Sequence, residues 1–164
     1  MAVFAAVFSH AADGWTGTEV DLAEYEGIDD LADLMRDTAA AESTAETSVV
    51  VLAEADDEWF GVARLDDTGE PRAFLSDMRV VYGHPAARLF LETDGGIDDD
   101  QETEGTGQNP YPEPVGDPDL LDDLGIPGTE LMVLTTREGI LPADALTTIA
   151  DRAGFAGELD ELRA

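Results

Sequence analysis

The sequence predicts an α+β fold: a mostly antiparallel sheet of about five strands, one packed helix, and a small helical C-terminal part. Three observations carry this. Short apolar runs, each about one strand long, are joined by turn residues over the first half of the chain. One segment among them has apolar residues at three- and four-residue spacings instead. Past a dense acidic stretch, helical spacing returns and continues towards the end.

Ala2 to Phe8 predicts the first strand. Phe4, Ala6 and Phe8 fall on one face, Val3, Ala5 and Val7 on the other. Both faces are apolar, which suits a central strand. Asp13-Gly14 is a hairpin signal, and Trp15 to Val20 returns as the second strand. Ile28, Leu31, Leu34, Met35 and Ala39 then mark an amphipathic helix. Its first turns hold Asp29, Asp30 and Asp33, which complement the positive end of the helix dipole. Small polar residues from Ala40 to Glu46 read as a loop.

Three further strands follow: Ser48 to Glu54, Trp59 to Leu65, and Arg72 to Leu75. Asp56-Asp57 and Asp67-Thr68-Gly69-Glu70 connect them tightly, so they form a meander. Pro85 opens a short helix through Leu91. Leu120, Leu121 and Leu124 form a stripe ending at Gly125. Pro127-Gly128 precedes a helix with Leu131, Met132 and Leu134. Pro142 begins another, with Leu146, Ile149, Ala150 and Ala153, closed by Gly154. A short turn from Gly157 to Leu162 ends the pattern.

By composition the chain divides in three. Residues 1–92 form the sheet domain. Residues 93–116, dense in Asp, Glu, Gly and Pro, form an acidic flexible linker, because like charges repel and few apolar groups anchor them. Residues 117–164 form a helical part too small to fold alone, which should dock on the sheet.

Charge bounds the function. The chain has 164 residues, 38 Asp and Glu against 8 basic residues, all Arg, and a formal net charge of -30. Such a field repels nucleic acid and anionic membrane and attracts a basic protein or a divalent cation. Solubility, salt adaptation or a GC-rich genome would also give this composition. With no Cys there are no disulfides, thiolate metal sites or Cys nucleophile, which fits a cytoplasmic protein. No membrane span, secretory signal or lipidation motif is expected.

No catalytic residue, metal site or cofactor site is assigned. His10 and His84 have no nucleophile flagged beside them, and the default is a strand-end or helix-entry His with an ordinary hydrogen-bond partner. Asp98, Asp99 and Asp100, and Asp117, Asp119, Asp122 and Asp123, offer oxygen ligands without the spacing of an EF-hand. Arg64 and Arg72, on neighbouring strands, read as charge neutralisers. Trp15, Trp59 and Phe60 are the candidate partner interface. Trp59 and Phe60 are adjacent on a strand and face opposite sides, so one enters the core and the other covers the second face or lies exposed.

Several stretches carry a resemblance. They are Phe4-Ala5-Ala6 with Gly14-Trp15, Glu19-Val20-Asp21-Leu22, and the helix Asp29-Asp30-Leu31-Ala32-Asp33-Leu34. Further on come Asp57-Glu58-Trp59-Phe60 with Val62-Ala63-Arg64, and Arg72-Ala73-Phe74-Leu75-Ser76-Asp77. Their order resembles the tRNA adenosine deaminase-associated proteins, small acidic bacterial proteins named for a gene beside that of the deaminase. The resemblance spans residues 2–92 and, more loosely, 118–162. It implies an association and no catalytic residues. The residues agree that this chain is not the deaminase: that enzyme needs His-x-Glu and Pro-Cys-x-x-Cys, whereas Ala11-Ala12 follows His10 and Pro85-Ala86 follows His84.

The leading expectation is therefore a non-catalytic accessory protein that binds a basic partner, by resemblance the tRNA adenosine deaminase. The alternatives are a metal-dependent enzyme or binder using the Asp clusters, and a small-molecule sensor. A partner-binder should expose an apolar patch ringed by acids. An enzyme should converge Asp, Glu or His in a closed pocket.

Overall fold

The computed structural model of the chain describes residues 3–11, 14–25, 27–41, 48–55, 58–65, 71–78, 80, 85–90, 114–136 and 140–163. These build an α+β fold around one antiparallel sheet of six strands. The strands are β1 (Val3–Ala11), β2 (Gly14–Glu19), β3 (Ser48–Ala55), β4 (Trp59–Leu65), β5 (Pro71–Leu75) and β6 (Val115–Gly116), in the spatial order β2-β1-β3-β4-β5-β6. The α-helices are α1 (Ile28–Ala41), α2 (Gly128–Thr136), α3 (Pro142–Ala153) and α4 (Ala156–Arg163).

Alternation along the central strands explains why the sheet is covered on both sides. Val49, Val51, Ala53 and Ala55 of β3 turn to one face, where Ile28, Leu31 and Met35 of α1 meet them with Leu89 and Phe90 of the 3-10 helix Pro85–Phe90. Val50 and Leu52 turn to the other face, against Leu131 and Leu134 of α2, Leu146 and Ile149 of α3, and Leu159 of α4. In β1, Ala5 and Val7 join the first core, Ala6 and Phe8 the second. Strands with two apolar faces need two covering layers, and the result is three layers, helix–sheet–helix.

The register is continuous. His10 lies opposite Trp15 in β1–β2, Ala53 opposite Gly61 in β3–β4, and Arg64 opposite Arg72 in β4–β5. The sixth strand is the difference from the sequence reading. Val115 and Gly116, at the end of the acidic stretch, pair with Leu75 and Phe74 of β5, and the Asp117 N–H donates to the Ala73 carbonyl at 2.9 Å. Two residues are too short for periodicity to reveal. Residues 93–113 of the stretch read as a linker, with Asp98, Asp99 and Asp100 among them, lie outside the described residues, as does His84.

The C-terminal layer is punctuated as the sequence suggests. Pro142 occupies the first turn of α3, where its missing N–H costs nothing, and the Asp144 carboxylate accepts from the Leu141 N–H at 3.4 Å. Gly154 ends α3 at φ 104, a left-handed position that a Cβ disfavours, and its N–H donates to the Ala150 carbonyl at 2.8 Å. The residues read as a final turn form a helix of two turns, α4.

Candidate functional site

Trp59 and Phe60 do point to opposite sides of β4, and both are buried. Trp59 is in the α1-side core, its ring centroid 6.1 Å from that of Phe90. Phe60 is in the second core, 6.2 Å from Phe74. Neither is the exposed anchor that the interface reading offered as an option. The reason is the second layer: a strand covered on both faces leaves neither neighbour for solvent. Ser76 closes the end of this strand, its Oγ accepting from the Phe60 N–H at 2.9 Å while its N–H donates to the Phe60 carbonyl at 3.0 Å.

Trp15 keeps part of its surface. It belongs to an aromatic chain that runs outward from the core: Phe8 stacks on Phe155 at 4.3 Å, Phe155 meets Trp15 at 4.8 Å, and Trp15 meets the exposed His10 at 4.8 Å. The chain fastens the α3–α4 junction to the first hairpin. His10 is thus a ring partner of Trp15 on the surface.

Arg64 and Arg72 border an open cleft of 410 Å³ with Leu65, Asp117, Asp119, Leu120 and Asp123. Arg64 is largely buried there. Its Nη1 donates to the Leu120 carbonyl at 3.0 Å, and its guanidinium grips both Asp123 oxygens, with Nη2 to Oδ2 at 2.8 Å. That hydrogen bond, assisted by the positive charge, holds the Asp123 carboxyl below its ordinary range. Asp117 is also engaged, accepting from the Asp119 N–H at 2.9 Å. These carboxylates are occupied by a guanidinium and a turn. Among the described residues no three His, Asp or Glu side chains are grouped to hold a metal ion. The cleft is a clasp between sheet and C-terminal layer, and it is open rather than closed.

The acid field is felt on the other side as well. The Tyr25 phenol is pushed above its ordinary value, first by burial and then by Glu24, Asp30, Asp21 and Asp37.

The exposed apolar surface is elsewhere. Among the described residues, the exposed large hydrophobics are Met132 and Val133 of α2 and Leu141 just before α3. The sequence reading names Met132 among the apolar residues of this helix, with Leu131 and Leu134, and passes over Val133 and Leu141. A signal was present: Leu131-Met132-Val133-Leu134 are four consecutive apolar residues, and successive helical residues turn by about 100°. One packed face cannot accept all four. Leu131 and Leu134 enter the core, and the two between them face out.

No helix among the described residues is long and apolar enough to cross a membrane. No curated protein and no solved structure matches the chain. A family model does: it is described as Rv3753c-like tRNA adenosine deaminase-associated protein, and it covers residues 3–156.

Proposed function

The chain belongs to this tRNA adenosine deaminase-associated family, and from that premise we propose that it is a non-catalytic accessory protein that docks on the basic surface of the deaminase. The family match is the observation that carries the reading. An enzyme that handles tRNA presents a positive surface to its phosphates. A chain of net charge -30 is drawn to such a surface and repelled by tRNA itself. Docking there makes it a competitor of tRNA or a holder of the enzyme between substrates, in the cytoplasm where that enzyme works. No cofactor enters this role. The geometry supports it in two ways: apolar side chains lie exposed on an acidic molecule, and two of the cleft carboxylates, Asp123 and Asp117, are engaged by Arg64 and a turn.

Titration calorimetry of this protein with its cognate deaminase tests the reading. Binding should be measurable at low salt and should weaken at physiological salt, where charges are screened beyond about 8 Å. Absence of binding at low salt ends the proposal. Equal binding to unrelated basic proteins reduces the acidity to a solubility trait.

A further inference from the structure

We propose that the outer face of α2, with Leu141 beside it, is the docking surface, and that it recognises a basic protein surface carrying an apolar side chain among its Lys and Arg residues. This rests on the accessory reading and adds to it a place and a recognition chemistry.

The placement is the first argument. Met132 is 36% exposed, Val133 45% and Leu141 49%. Thr129, Met132 and Val133 share one helix face, at spacings of three and four residues, and all three are exposed. The ion pair of Arg152 with Glu130, at 2.6 Å, ties the end of α3 to the start of α2. Leu141 directly precedes α3 and lies five residues beyond Thr136, the end of α2. Met132 and Val133 lie about one turn from that end. The three large exposed apolar side chains among the described residues thus all fall within residues 132–141 of the C-terminal layer.

The second argument is charge, which selects the occupant. The described part of this layer carries ten carboxylates and two arginines, and Arg152 is already paired with Glu130. Asp144 and Asp151, seven residues apart on α3, are exposed on its outer side. A second copy of the chain would bring another -30 to the same surface. Nucleic acid and anionic lipid carry the same sign. A basic protein surface alone has the complementary field. Apolar anchors at the centre and charges around them divide the work: the charges steer encounter, and the buried side chains set the residence time.

The experiment compares the full chain with a Met132→Ser, Val133→Ser, Leu141→Ser variant, and with Val133→Ser alone as a milder change. All three positions are exposed, so the thermal melts should match. Against the deaminase at fixed salt, the triple variant should bind about tenfold more weakly or worse, with an unchanged salt slope, and the single variant should shift in the same direction. Unchanged affinity overturns the surface and leaves the association standing. If the unaltered chain fails to bind the deaminase, the accessory reading falls, and a second probe still decides the surface. That probe is a synthetic helical peptide with a leucine stripe flanked by lysines. Amide NMR shifts centred on Met132, Val133 and Leu141, lost in the triple variant and absent with an all-lysine peptide, support the assignment. Shifts centred elsewhere on the chain overturn it.

Discussion

Arg64 joins two parts of the chain 59 residues apart by gripping Asp123. Its place beside Arg72 was legible, because hairpin turns fix which strand positions lie opposite. Asp123 as its partner was not, because nothing local reports a contact that closes so long a loop. The pair has a pH signature. The Asp123 carboxyl is depressed in the folded protein, so its contribution is present above the ordinary carboxylate pKa and disappears as pH falls through the depressed value. The Asp123 side chain is 65% exposed, so solvent screens the pair and the gain is at most about 1 kcal/mol. Asp123→Asn should lower the urea unfolding free energy by about that much at neutral pH. The difference from the unaltered protein should vanish once the pH has fallen below the depressed value, where both side chains are neutral.

At the level of elements, the sheet shows what alternation can and cannot tell. Two apolar faces on Ala2 to Phe8 announced a central strand, and β1 does lie between β2 and β3 with a core on each side. Alternation did not say what covers Trp59 and Phe60, because α1 comes before the strand and the helices over Phe60 follow far along the chain. Likewise the apolar run in α2 announced a helix but not which of its residues stay outside. Gly61 marks a close approach of the same kind. It lies on β4 between Ala53 and Leu75, and a Cβ there would sit 2.5 Å from the Phe90 ring. Glycine thus lets the Pro85–Phe90 helix rest directly on the strand backbone. Gly61→Ala should destabilise the protein by about 1–3 kcal/mol, seen as a lower urea midpoint with unchanged slope. In a Phe90→Leu background the added cost should shrink, because the ring that obstructs the new methyl is gone.

For the molecule as a whole, the sheet separates two cores, and the chain's two tryptophans are divided between them. Trp59 is sealed on the α1 side, while Trp15 sits against Phe155 on the other. Each half of the fold therefore carries its own fluorophore. A Trp59→Phe variant would emit only from the junction of α3, α4 and the first hairpin; a Trp15→Phe variant would emit only from beneath α1 and Phe90. If both layers come away from the sheet in one cooperative step, the two emission spectra should shift at the same urea concentration. If the C-terminal layer lifts first, Trp15 should redden while Trp59 stays blue. A docked partner that braces that layer would then move the Trp15 transition alone, so the arrangement of two indoles lets one cuvette report which side of the sheet has been touched.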